Sequence, residues 1–219
     1  MHAKCGLALY FLGMLITNQY RFVCATSKQT SETVCLTSYK SPRSGNDLLN
    51  SVKLWEACCA TSAATSFFDP VAVGRYGEEF VDGATGANNP VWEVWNQAQL
   101  MWGPEPLESK IKCLVSIGTG VPSLKPFQDD VFHIGQTLVG IATETEQTAE
   151  RFHRHKSHLD DSGRYYRFNV DRGLEEIGLE ESKKRKEIAA ATRRYIESQG
   201  VFKQMQACVN NMAGRECQS

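Results

Sequence analysis

One carboxylate in this 219-residue sequence stands where catalytic carboxylates are commonly held. The segment Glu79 to Pro90 reads EFVDGATGANNP, so a short apolar run leads directly to Asp82. Phe80 and Val81 are typical of a strand end, and Gly83 is expected to adopt backbone angles that a side chain would resist. Such a turn can present Asp82 as a base. It is also typical of an Asx turn, in which the carboxylate binds its own backbone, and from these residues alone the Asx turn is favoured.

A carboxylate base needs a nucleophile to act on, and the sequence has no obvious one. It contains no Gly-x-Ser-x-Gly, the turn in which flanking glycines expose a serine hydroxyl beside backbone N–H donors. It also lacks a run of glycines that could form an oxyanion hole. Asp82 is therefore a candidate base without a visible partner.

A second glycine turn, Gly118-Thr119-Gly120, follows the apolar run that ends at Ile117. It completes neither the dinucleotide-binding glycine pattern nor the phosphate-loop pattern, so nucleotide binding is not favoured. We expect a strand-to-loop turn at the carboxyl edge of a sheet, which is where ligands approach open α/β sheets.

Histidines and basic residues give two weaker patterns. His153, His155 and His158 do not share one helix face, so solvated helix surface is favoured over a metal site. The run Lys183 to Lys186 could touch lipid head groups. Ion pairing with the acidic residues at 180–181 in an exposed first helical turn is the stronger interpretation.

Composition limits the possible partners and the compartment. There are 24 Lys and Arg against 25 Asp and Glu, a net charge of −1, so no overall field favours nucleic acid or an anionic membrane. The cysteines show no Cys-x-x-Cys and no zinc spacing, and no metal or cofactor is implied; they are Cys5, Cys24, Cys35, Cys58, Cys59, Cys113, Cys208 and Cys217. A reducing, cytoplasmic compartment fits this pattern best.

The first twenty residues differ in character from the rest. Gly6 to Ile16 is an apolar stretch behind Lys4, which outlines a short signal peptide but cannot span a bilayer as a helix. Cleavage after Ala25 would remove half of an expected core strand. Secretion is therefore disfavoured, and residues 1–20 are interpreted as a divergent segment before a domain at 21–219.

Strand and helix patterns alternate along the remaining chain, which predicts an α/β layered fold. Besides the strand that ends at Val81, four strands are predicted: residues 20–26 and 33–39 as a hairpin or as neighbours, 111–117 as a buried strand, and 164–170. Four helices are predicted: residues 47–64, a helix opened by Pro90 that stops before Gly103, residues 131–155, and a terminal helix beginning near Glu181 with an apolar face of Ile188, Ala191, Tyr195 and Ile196.

Four motifs in order resemble the C-terminal part of patatin-like phospholipase domains, especially those of filamentous fungi. They are residues 60–68, 80–84, 88–90 and 116–120, and the resemblance extends from about Arg21 to the last helix. It implies a lipid acyl hydrolase with a serine–aspartate dyad, in which Asp82 is the base and Gly83 and Ala84 complete the Asp-Gly-Gly/Ala motif. The family's Gly-x-Ser-x-Gly and oxyanion loop lie upstream of the matched part. The implied sheet is thus incomplete on its N-terminal side, and its open edge predicts poor solubility or dependence on a partner.

Two functional hypotheses follow from this resemblance. The first is a hydrolase of phospholipid or acylglycerol esters in lipid metabolism, represented by a truncated chain without its serine and with peripheral contact to membranes. The second is an inactive binding or regulatory module of a multidomain, defence-like signalling protein.

Overall fold

The computed structural model describes residues 20–43, 45–65, 67–121, 132–175, 177 and 182–214. The chain divides into two compact units, one ending at Pro104 and the other beginning at Glu105. The predicted division at residue 20 and the apolar stretch from Gly6 to Ile16 lie outside the described residues or at their edge. In the described residues, no helix is both long enough and apolar enough to cross a bilayer.

A four-stranded antiparallel sheet organises the first unit. Its strands are β1 (Phe22–Ser27), β2 (Thr33–Thr37), β3 (Val71–Val73) and β4 (Glu78–Asp82), in the spatial order β2-β1-β4-β3. The predicted neighbours at 20–26 and 33–39 are confirmed as β1 and β2. Strand β3 was not predicted, because three residues are too few to show an alternating pattern. Gly74 and Gly77 make the turn to β4 with φ of 78° and 64°.

The predicted single helix at 47–64 is wrong: two helices occupy the segment. They are α1 (Asn46–Ser51) and α2 (Leu54–Thr61). Val52 between them is extended, with φ −75° and ψ 122°. Glu56 then accepts a hydrogen bond from the Lys53 backbone at 2.7 Å, which fixes a new helix start. Apolar spacing continued across the break, so periodicity alone could not reveal it.

Helix α2 covers one face of the sheet and closes the core. Ala57 and Ala60 are buried against Val23, Ala25 and Phe80, with Leu36 and Val73 in the same cluster. Small residues let the helix approach the strands closely, as its alanine-rich end predicted. Phe80 is fully buried, so the strand that carries Asp82 is anchored two residues before the turn.

The turn after β4 leads into two further helices. These are the four-residue α3 (Ala84–Ala87) and α4 (Val91–Trp102). The predicted start at Pro90 and stop at Gly103 are confirmed, and Gly103 has φ 86°, which ends the helix. Buried Val91 and Trp95 face inward.

The second unit contains a parallel pair of strands, β5 (Leu114–Ile117) and β6 (Tyr165–Phe168), hydrogen-bonded to each other. A 3₁₀ turn at Leu107–Ser109 precedes them. The predicted buried strand at 111–117 is corrected in two ways: it begins only at Leu114, and Ile117 is 59% exposed. The described residues place one strand, not two, beside β5.

Four α-helices are described in the second unit. They are α5 (Phe132–His155), α6 (Ser157–Asp161), α7 (Arg185–Glu197) and α8 (Gln199–Ala213). The single predicted terminal helix is corrected to α7 and α8, separated by Ser198 at φ −64° and ψ 141°. The residues at 180–181 lie outside the described residues, so the predicted ion pairs with the basic run stay untested. The alternation of strands and helices confirms the α/β class.

Candidate functional site

The backbone of Asp82 is held from three directions at the end of β4. Asp82 pairs with Ala25 of the neighbouring strand β1. Its N–H donates to the Ala63 carbonyl at 3.0 Å, and its carbonyl accepts a hydrogen bond from the Thr26 hydroxyl at 3.0 Å. The position of the carboxylate is therefore fixed by strand, loop and side chain together.

One carboxylate oxygen of Asp82 is used within the turn. Oδ1 accepts a hydrogen bond from the Ala84 N–H at 2.8 Å, which is the Asx turn favoured by local sequence reasoning. Among the described residues, no donor hydrogen-bonds Oδ2. The turn thus orients the carboxyl group through one oxygen and leaves the other available, so an Asx turn and a base are compatible in the same residue.

Partial burial changes the acidity of this carboxyl group. Desolvation raises the pKa of Asp82 above its ordinary value, and the Ala84 N–H opposes the rise by stabilising the charged form. A carboxylate with a raised pKa holds a proton more strongly, which makes it a better proton acceptor.

Gly83 is required for a reason that the sequence did not reveal. Its φ of −67° and ψ of −15° are ordinary for any residue, so the expected need for unusual backbone angles is wrong. A Cβ on Gly83 would lie 2.2 Å from the Cys24 carbonyl oxygen and 2.6 Å from its carbon. The turn packs directly on the backbone of β1, and glycine is needed because of that close approach.

Sequence reasoning missed the residues that position this turn. Thr26 binds the Asp82 carbonyl, and Thr61 donates from its hydroxyl to the Cys24 carbonyl at 2.6 Å, beneath Gly83. Both threonines are buried. The available signal for Thr61 and Ala63 was their place in the motif at 60–68. For Thr26 no local pattern distinguished it from an ordinary strand residue.

The segment after the turn is held by an amide side chain. Asn89 is 6% exposed, and its Oδ1 accepts from the Val91 N–H at 3.4 Å as α4 begins. Gly86 is also crowded, since a Cβ there would lie 2.6 Å from the Thr33 hydroxyl. The residues from Asp82 to α4 thus form one packed connection.

A cavity of about 310 Å³ lies elsewhere in the first unit. Val73 and Glu78, which pair at the β3–β4 turn, are among its lining residues. Asp82 is at the other end of β4, about 13 Å away along a strand rising roughly 3.3 Å per residue. The cavity and the candidate base are separate features.

The second glycine turn offers no free phosphate cradle. The Gly118 N–H donates to the Phe168 carbonyl at 2.8 Å, and the Gly120 N–H donates to Asn169 Oδ1 at 2.7 Å. Asn169 Nδ2 in turn donates to Glu146 at 3.0 Å. The predicted strand-to-loop turn is confirmed, and these two amides are occupied by the unit itself.

The histidine and basic patterns lie on exposed surface. His153 Nδ1 lies 3.8 Å from Asp160, and His158 Nε2 lies 3.8 Å from Glu108. Among the described residues, no three His, Cys, Asp or Glu side chains converge in an arrangement suited to a metal ion. The basic run ends in the first turn of α7, where Arg185 and Lys186 are exposed.

Comparison with known proteins shows similarity to one family of phospholipases. Residues 19–95 match the model of a family described as "Patatin-like phospholipase". The chain is 35% identical over 119 residues to "Phospholipase A I" of Arabidopsis thaliana, covering 53% of the chain and 9% of that protein. It is 30% identical over 156 residues to "Calcium-independent phospholipase A2-gamma" of Homo sapiens, covering 66% of the chain and 18% of that protein. The matched part therefore spans less than a fifth of either relative.

Proposed function

Residues 19–95 match the patatin-like phospholipase family model, and from this premise we propose that the chain is the base-bearing part of a lipid acyl hydrolase. Its substrates are phospholipid or acylglycerol esters, and its place is in lipid metabolism. Asp82 is the base of a serine–aspartate dyad, with Gly83 and Ala84 shaping its turn. The fungal-type assignment of the motifs is part of this proposal.

In this reaction a serine hydroxyl attacks the ester carbonyl while Asp82 accepts its proton. Asp82 gives this proton to the departing alcohol or lysolipid as the acyl-serine forms. Water then attacks the acyl-serine while Asp82 again accepts a proton, which passes to the serine oxygen as the fatty acid leaves. Because the sequence has no Gly-x-Ser-x-Gly, we propose that the serine and the oxyanion donors come from residues outside these 219. A longer polypeptide or a partner chain would carry the serine and the oxyanion donors.

The observation that supports this role is the unequal use of the two Asp82 oxygens. Oδ1 is fixed by the Ala84 N–H, while Oδ2 has no donor among the described residues. The carbonyl and N–H of Asp82 are themselves held by Thr26 and Ala63. A base held in this way loses little orientational freedom when a hydroxyl approaches.

The proposal extends to location. Ester-bearing lipids are presented at membrane surfaces, so we propose peripheral contact from a cytoplasmic position. The exposed basic residues at the start of α7, Arg185 and Lys186, are suited to anionic head groups.

Ester hydrolysis with and without a serine-bearing segment tests the proposal. Two protein forms are assayed on phospholipid vesicles. One is the 219-residue chain by itself, and the other is a longer polypeptide or a complex that includes a Gly-x-Ser-x-Gly segment. We expect activity only in the second case, and Asp82→Asn should reduce it by about 10³-fold or more. Asp69→Asn, an exposed aspartate in the same unit, is the matched control and should retain activity.

Two results would contradict this assignment. Full hydrolysis by the Asp82→Asn protein would show that Asp82 is not the base. Absence of any serine labelled by a fluorophosphonate in the serine-bearing product would favour the inactive binding module instead.

A further inference from the structure

Two cysteines lie directly opposite each other on neighbouring strands of the first unit. Cys24 on β1 pairs in register with Cys35 on β2. Opposed residues of an antiparallel pair point to the same face of the sheet, so both thiols lie on one side. Neither cysteine has a role in the proposed hydrolysis.

The hydrogen-bond pattern shows which kind of pair this is. Ser27 donates to Glu32 at 2.9 Å, and Ser38 donates to Arg21 at 2.8 Å, so the opposed pairs 27/32 and 21/38 are hydrogen-bonded. Hydrogen-bonded and non-hydrogen-bonded pairs alternate, and 24/35 is three positions from each of them. It is a non-hydrogen-bonded pair, for which Cα atoms are about 4.5 Å apart, within the roughly 4.4–6.8 Å that a disulfide spans.

The two thiols differ in environment. Cys24 is 7% exposed, whereas Cys35 is half-buried and more accessible. The Cys24 thiol hydrogen-bonds the Cys35 sulfur and lowers the pKa of Cys35, and the Gln97 side chain contributes in the same direction. Burial and the Glu93 carboxylate oppose this lowering, while the pKa of Cys24 is raised.

Gln97 is itself oriented by two hydroxyl groups. Its Oε1 accepts hydrogen bonds from Tyr39 at 3.0 Å and from Ser41 at 3.3 Å. The amide nitrogen is thereby left to face the Cys35 sulfur. Cys35 is the more accessible thiol and the one whose pKa is lowered, which suits it to be the attacking cysteine, with buried Cys24 as the resolving one.

We propose that Cys24 and Cys35 are a modification site that forms a reversible disulfide on reaction with a hydroperoxide. The Cys35 thiolate attacks the peroxide, the O–O bond breaks, and Cys35 sulfenic acid forms with release of hydroxide. The Cys24 sulfur then attacks the Cys35 sulfur, and water leaves. In total two thiols and one hydrogen peroxide give one disulfide and two waters, and a thiol reductant reverses the change.

Mass spectrometry of the full reduced chain tests the proposal. After hydrogen peroxide treatment and alkylation of the remaining thiols, trypsin should release peptide 22–28 joined to peptide 29–40. The joined species should weigh about 2 Da less than the sum of the two reduced peptides, and dithiothreitol should separate them. Cys113→Ser, which removes a thiol beside Cys208 in the other unit, is the control and should leave the joined peptide unchanged.

Single variants test the order of the steps. Cys24→Ser should accumulate Cys35 sulfenic acid that dimedone captures, because the resolving thiol is gone. Cys35→Ser should leave Cys24 reduced at the same peroxide dose. The proposal is overturned if, in the unaltered chain, Cys24 and Cys35 remain fully alkylated after exposed Cys59 has been oxidised.

Discussion

The turn at Asp82 and the turn at Gly118 to Gly120 look alike in sequence but differ in what they leave unused. In each, a glycine comes directly after the last residue of a strand. In the second unit, Asn169 and Phe168 occupy the N–H groups of Gly120 and Gly118. In the first unit, the turn donor occupies Oδ1 of Asp82, and no donor among the described residues reaches Oδ2. A glycine turn after a strand is therefore a candidate catalytic or binding site only when one of its polar atoms is left without a hydrogen-bond partner in the fold.

The two glycines also differ in what crowds them. Gly83 faces the Cys24 backbone, whereas Gly118 faces the Asn169 side chain, whose Oδ1 would lie 2.3 Å from an added Cβ. A strand backbone cannot move without breaking its ladder, but a side chain can rotate. Substitutions at Gly83 and Gly118 should therefore lower the free energy of unfolding by different amounts.

The largest expected effect is that of Gly83→Ala. We expect a loss of about 3 kcal/mol in the free energy of unfolding, because the new Cβ forces the turn away from β1. Urea unfolding followed by tryptophan emission measures it, since Trp55, Trp92, Trp95 and Trp102 all lie in the first unit. A loss below about 0.5 kcal/mol would contradict the close packing of the turn.

Gly118→Ala should cost less, about 1–2 kcal/mol, because Asn169 can rotate at the expense of its bond to Gly120. Urea unfolding followed by circular dichroism measures this loss. If Gly118→Ala proved costlier than Gly83→Ala, the distinction between backbone and side-chain crowding would be wrong.

Asp82→Ala should lower the free energy of unfolding by about 1 kcal/mol, since the Ala84 N–H loses its acceptor. Asp82→Asn keeps an acceptor oxygen and should change stability little. The comparison of the two variants by urea unfolding isolates the Asx turn. Equal destabilisation by both would show that charge, rather than the hydrogen bond, holds the turn.

The smallest expected effect is a dependence on pH. Because the pKa of Asp82 is raised in the folded protein, the folded state binds this proton more strongly than the unfolded state. The unaltered chain should therefore lose stability relative to Asp82→Asn as pH rises from about 4, the ordinary aspartate pKa, through the higher folded value. Urea titrations of both proteins at several pH values measure the difference, and a difference of opposite sign would show a lowered pKa.

Sequence patterns predicted the elements whose signals are local. The β-branched and aromatic composition of β1 and β2, and the Pro90 and Gly103 boundaries of α4, are examples. Strand β3 and the break at Val52 and Lys53 were missed, because a three-residue strand and two extended residues leave no periodic signal.

The candidate site was predictable only in part. Asp82 was located correctly at a strand end, and its Asx turn follows from a partner two residues away. Its other supports could not be predicted, because Thr26 is 56 positions from Asp82 along the chain. Contacts at such separation depend on strand order, which no local pattern encodes.

The sequence by itself determined the local conformation around Asp82: a strand, a carboxylate, a glycine turn and the start of a helix. Only the tertiary structure decided why Gly83 must be glycine, which Asp82 oxygen remains without a donor among the described residues, and that Cys24 faces Cys35. The physical reason is that turns and caps are formed by neighbours in the chain. Close approach, desolvation and strand register are set by residues that meet only after folding.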